Sequence, residues 1–128
     1  MIKVNLTIMR CLIFPNFAKN LIYEITKRTI LITAGANGIG LQLVRQLVSS
    51  NSIIITGRDV TKLEDVKKQF PKVNIIESDV SNSNDIKKLY AYIESNFPQL
   101  NVLINNAGVS RDNLFVSLSF IFFVTFNV

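Results

Sequence analysis

Hydrophobic residues in the middle of the chain fall into two alternating patterns. Short β-branched runs occur at Thr29–Thr33, Ile53–Thr56, Val73–Glu77 and Asn101–Asn105. Between them, apolar residues recur at helical spacing. Leu41, Val44 and Val48 predict a helix over about 38–50. Leu63, Val66 and Phe70 predict one over about 61–70. Ile86, Leu89, Tyr90, Ile93 and Phe97 form the stripe of a third, following N-cap candidates at 81–84. Pro71 and Pro98 stop the second and third helices, and Asn51 is a candidate left-handed cap for the first. The consecutive Ile53, Ile54 and Ile55 suit a strand covered on both faces. Strands alternating with helices predict an α/β fold, a parallel sheet with helical crossovers. Ligands of such sheets bind beyond the carboxyl ends of the strands.

The two ends depart from this pattern. Residues 1–26 read as an N-terminal extension. Arg10, Pro15 and Lys19 interrupt its apolar run, and a secretory signal needs roughly 7–15 uninterrupted apolar residues. Residues 114–128 carry no charge and hold Phe115, Phe120, Phe122, Phe123 and Phe126. This tail is short of the about 20 apolar residues of a membrane-spanning helix, so a membrane span is not expected, although insertion in a membrane surface stays open. Free in water it would be an aggregation hazard, and it is a candidate for oligomer or partner contacts.

Composition narrows the chemistry. The 128 residues are 48% hydrophobic and 18% charged, a globular balance for one domain. The net charge of +5 reads mainly as lysines on helix faces, with no nucleic-acid partner expected. One cysteine and no histidine leave no internal disulfide, no usual metal set and no imidazole base, and fit a reducing, cytoplasmic setting.

The chemistry-bearing residues follow the strands. Thr33-Ala34-Gly35-Ala36-Asn37-Gly38-Ile39-Gly40 is a glycine-rich strand-to-helix turn. Its spacing is neither G-x-G-x-x-G nor a Walker loop. The helix start behind it offers free N–H groups to a pyrophosphate, although such a turn also occurs with no ligand. Gly57 stands where dinucleotide sites often carry an acid about 20 residues past the glycines, and Arg58 follows it. A guanidinium can pair with a 2′-phosphate, which favours NADP(H) over NAD(H). The alternative is a solvent-exposed arginine. Asp79-Val80 follows the third strand; Asp79 is an acceptor for an adenine amino group or a helix-capping aspartate. Asn105-Asn106-Ala107-Gly108 follows the fourth, as a turn whose amides could bridge neighbouring strands.

Together these segments resemble the main subfamily of short-chain dehydrogenases/reductases, over residues 27–113. The resemblance implies a Rossmann-like domain with strand order 3-2-1-4. It implies that Gly35, Gly38, Ile39 and Gly40 surround the pyrophosphate, with Thr33 and Asn37 also cofactor-binding, and that Arg58 meets the adenosine phosphate. Asp79 and Val80 would flank adenine, and Asn106, Ala107 and Gly108 would border the ribose near the nicotinamide. One position departs: where the family has Thr-Gly-x-x-x-Gly-x-Gly, Ala34 occupies the first glycine position. If that position needs a positive φ, alanine there costs on the order of 1 kcal/mol.

The family's reaction, hydride transfer between a nicotinamide and a carbonyl or alcohol, uses a serine and a Tyr-x-x-x-Lys pair beyond the segment matched here. Tyr23 and Lys27 have that spacing but precede the first strand, so no catalytic residue is assigned. The likeness includes Arg111-Asp112-Asn113-Leu114 and then fades, the pattern of a shortened gene product. The fourth strand would then have an open edge, over which residues 114–124 could fold as a surrogate helix or strand. The expected activity is NADP(H) binding without turnover. A non-catalytic nucleotide-binding or partner-docking module, or a product with no function, stand beside it.

Overall fold

The computed structural model describes residues 25–107 and 122–125. Residues 1–24 with Tyr23, 108–121 with Gly108, and 126–128 lie outside these residues. The strands are β1 (Thr29–Thr33), β2 (Ser52–Gly57), β3 (Asn74–Glu77), β4 (Val102–Asn105) and β5 (Phe122–Thr125). The helices are α1 (Gly38–Leu47), α2 (Val60–Gln69) and α3 (Ser83–Asn96).

The sheet order is β3-β2-β1-β4-β5. The first four strands are parallel, with Ile32 beside both Ile55 and Ile104. This is the expected 3-2-1-4 arrangement with flanking helices. β5 adds antiparallel to β4, with Ile104 opposite Phe123. The open edge of β4 is thus covered by a strand.

Side-chain alternation divides the core. Ile30, Ile32, Ile53, Ile55, Val102 and Ile104 pack on one face, against Leu43, Val44 and Leu47 of α1 and Leu63 and Val66 of α2. Leu31 and Ile54 face the other way, towards Ile93 of α3, with Leu89, Phe97 and Leu103 around them. Ile53, Ile54 and Ile55 are all buried, as a strand covered on both sides requires. Each such isoleucine contributes roughly 1.5–3 kcal/mol by leaving water.

Three local expectations are corrected. Asn51 is not left-handed; among the described non-glycine residues only Lys27 and Ala34 have positive φ. Its amide instead donates to Leu47 O and Ile25 O at 3.0 and 2.9 Å, and its Oδ1 accepts from Arg28 N–H. Side-chain bonding thus closes α1 without backbone strain, and α1 ends at Leu47 rather than near 50. Val73 stays outside β3 because its N–H goes to Phe70 O and its carbonyl accepts from Lys67 Nζ at 2.7 Å. On α3 only Ile93 of the stripe is buried, while Ile86 and Tyr90 are exposed. The helix meets the sheet along a narrower line than its apolar stripe.

Candidate functional site

The carboxyl ends of β1, β2, β3 and β4 bring the glycine turn, Arg58, Asp79 and Asn105–Ala107 to one end of the sheet. The turn leaves β1 through Ala34, whose φ is +53°. The expected departure from glycine therefore falls on a left-handed position. Gly35 is fixed by close approach: a Cβ there would lie 2.5 Å from Ile55 Cγ2. Its N–H donates to Thr56 O at 3.2 Å. Gly40 is fixed likewise, since a Cβ would run into Ala34 O and stand 2.7 Å from Asn106 Nδ2. Gly38 differs: its φ is +52°, and an added Cβ would meet nothing within 4 Å.

The helix that starts here is left open. Asn37 is the N-cap of α1, exposed, and its side chain makes no capping bond. The first turn of α1 carries no acid. By contrast Asp59 caps α2 through Lys62 N–H, and Asn82 caps α3 through the N–H groups of Asn84 and Asp85. The first N–H groups of any α-helix lack intrahelical acceptors and carry partial positive charge. At α1 those of Gly38, Ile39 and Gly40 have neither a capping side chain nor an acid in the same turn, a setting that suits an anion.

Thr33 ties this turn to β4. Its hydroxyl is buried, accepts from the N–H groups of Asn106 and Ala107 at 2.9 and 3.0 Å, and donates to Asn105 Oδ1 at 3.1 Å. The Asn106 amide donates to both Thr33 O and Ala34 O at 3.2 Å. The strand-bridging expected of these asparagines is present. The Asn106 side chain is engaged by the turn.

Arg58 and Asp79 sit at the ends of β2 and β3. Arg58 is exposed. Asp79 Oδ1 accepts from the hydroxyl and N–H of Ser81 at 2.6 and 2.9 Å. These two bonds hold the Asp79 carboxyl below its ordinary value of 3.8, and the nearby Arg58 charge adds to them. Val80, beside it, is half-buried. Beneath them Ser78 N–H donates to Gly57 O at 3.0 Å. The hydroxyls of Thr56 and Ser78 are buried without a partner among the described residues. Nothing in the sequence pattern separates these two from ordinary strand and loop residues. Ser81, read there only as a cap candidate, is the main partner of Asp79.

An open glycine-turn helix at the switch between β1 and β4 defines a Rossmann-like nucleotide fold. The sequence model of the short chain dehydrogenase family matches residues 28–120, and the chain belongs to that family. It is 38% identical over 90 residues to the uncharacterized oxidoreductase DltE of Bacillus subtilis, covering 70% of this chain and 36% of that protein. It is 30% identical over 96 residues to the 3-oxoacyl-[acyl-carrier-protein] reductase FabG of Buchnera aphidicola, covering 73% and 39%. Menthone neomenthol reductase from Mentha piperita superimposes with a TM-score of 0.60 at 26% identity, over 66% of this chain and 33% of that one. A short chain dehydrogenase from Bacillus anthracis does so with 0.57 at 31% identity, over 63% and 34%. The chain thus spans between a third and two fifths of the proteins it matches. Among the described residues, no helix is long and apolar enough to cross a membrane.

Proposed function

We propose that this chain is the NADP(H)-binding part of a short-chain dehydrogenase/reductase. The observation that carries the reading is the start of α1. Gly38 leaves open space there, and the helix is the only one of the three among the described residues without a side-chain cap. The N–H groups of Gly38, Ile39 and Gly40 then take the pyrophosphate, with Thr33, Gly35 and Asn37 shaping the turn.

Arg58 is the partner for the 2′-phosphate. Gly57 before it brings no carboxylate to repel that group, and its exposure leaves the guanidinium free to turn. Asp79 and Val80 border adenine. Asp79 Oδ1 is used by Ser81, so Oδ2 is the oxygen left to face the ligand. Asn106, Ala107 and Gly108 border the ribose at the nicotinamide end, with the Asn106 amide holding the turn. The bound nicotinamide supplies hydride chemistry towards a carbonyl or alcohol. No residue of this chain is assigned as acid or base. The single cysteine suits a cytoplasmic setting.

Titrating the folded chain with NADPH and NADH tests the assignment. NADPH binds more tightly, and Arg58→Ala weakens NADPH by about tenfold, the scale of one charge-assisted hydrogen-bonded pair, while leaving NADH nearly unchanged. A folded chain that takes neither nucleotide at millimolar concentration rejects the site. Equal losses for the two nucleotides reject the NADP(H) assignment alone.

A further inference from the structure

The Asn106 carboxamide nitrogen lies 3.2 Å from Thr33 O and 3.2 Å from Ala34 O. These two carbonyls flank a single Cα, that of Ala34. Successive carbonyls point the same way only when the residue between them has helical dihedrals; in a pleated strand they alternate. One NH₂ group serving both therefore requires Ala34 to leave the strand conformation. The packing around it selects the left-handed form, with φ +53°. Thr33 is anchored by its hydroxyl, and Gly35 N–H is anchored on Thr56 O. The absent Cβ of Gly40 makes room for both Ala34 O and the Asn106 amide. Glycine would adopt this conformation freely, whereas alanine is strained there.

We propose that Asn106 is a positioning residue acting through Ala34: its amide clamps a strained turn shut and thereby sets how strongly the start of α1 holds a pyrophosphate. The clamp stands on the geometry alone; its effect on a ligand rests on the function proposed above. Without the amide, Ala34 relaxes away from the left-handed form, and the fraction of chains with a competent turn falls, weakening apparent affinity in proportion. With glycine at position 34 the turn holds its shape without the clamp.

The test is a double-mutant cycle of the native chain, Asn106→Ala, Ala34→Gly and the double variant. NADPH affinity and thermal midpoint are measured for each. Adenosine 2′-phosphate, which lacks the pyrophosphate, is the control ligand. Asn106→Ala weakens NADPH by about tenfold in the native background, the scale of losing one or two hydrogen bonds. The loss is less than about threefold in the Ala34→Gly background, since the clamp is no longer needed. Adenosine 2′-phosphate changes by less than about twofold throughout, because its phosphate meets Arg58 and not the turn. Equal losses in the two backgrounds, or a parallel loss of adenosine 2′-phosphate, overturn the proposal. If no variant binds NADPH, the function proposed above fails while the clamp is still decided by the midpoints. A smaller drop in the Ala34→Gly background supports it and additive drops overturn it. If Asn106→Ala does not fold, Asn106→Ser takes its place in the same cycle, with the same outcomes.

Discussion

The hydroxyl of Thr33 accepts the backbone N–H of Asn106 across 2.9 Å, although the two residues are 73 positions apart in sequence. A second N–H, from Ala107, shares the same oxygen, and the hydroxyl proton goes to Asn105. One buried side chain thus stitches the end of β1 to the end of β4.

Thr33→Val keeps the shape of this side chain and removes every one of those bonds. Two part-buried N–H groups lose their acceptor, so the variant is destabilised by about 2 kcal/mol or more. Thr33→Ser retains the hydroxyl and costs less than about 1 kcal/mol. Urea unfolding of both variants checks the difference; equal midpoints would show that packing, not the hydroxyl, matters here.

Gly38 and Gly40 separate ligand space from packing space. A methyl at Gly40 overlaps Ala34 O and comes within 2.9 Å of Gly35 Cα, both backbone atoms. Gly40→Ala therefore costs on the order of 3 kcal/mol or prevents folding. A methyl at Gly38 meets nothing, so Gly38→Ala costs only the left-handed backbone, about 1 kcal/mol. It nonetheless weakens NADPH, because that space is where the pyrophosphate lies in the proposed site. Thermal unfolding and nucleotide titration of the two variants read these effects apart.

Asp79 gives a pH dependence of known sign. Its carboxyl is held below 3.8 in the folded chain, first by the Ser81 hydroxyl and then by the Ser81 N–H. A depressed carboxylate favours the fold at pH values above its unfolded value, and this contribution is lost as pH falls through the folded one. Ser81→Ala raises the Asp79 pKa towards the ordinary value and reduces the acid-side loss of stability. Carbon-13 NMR titration of the Asp79 carboxyl follows the shift directly; an unmoved titration would remove Ser81 as its cause.

The helix starts differ in what their caps contribute. Asn82 accepts from Asn84 N–H at 2.9 Å, so Asn82→Ala costs about 1 kcal/mol. Asn37 makes no such bond, and Asn37→Ala changes stability by only a few tenths of a kcal/mol, roughly. Chemical denaturation of both variants measures the contrast.

Much of this architecture is legible in local pattern. Ile53–Ile55 announce a strand buried on both faces, and the residues after each strand mark the end where a ligand would sit. What is not legible depends on partners far away in sequence. Asn51 looks like a left-handed cap until Ile25 and Arg28 come within reach of its side chain. The apolar stripe of α3 includes Ile86 and Tyr90, yet which part of a stripe is covered depends on how the helix lies on the sheet. The departure at Ala34 is visible from its neighbours, but its left-handed backbone and its tie to Asn106 require β4 to be in place.

The position of β1 between β2 and β4 also has a consequence in time. One edge of β1 can pair once residues 52–56 have been made, but the other waits for residues 102–104. On the ribosome, the strand synthesised first among the parallel four is therefore completed last. Closing so long a loop places assembly towards the slow end for a domain of this size. Until β4 docks, a nascent chain holds one exposed edge of β1, the interval in which a chaperone or another strand can reach it.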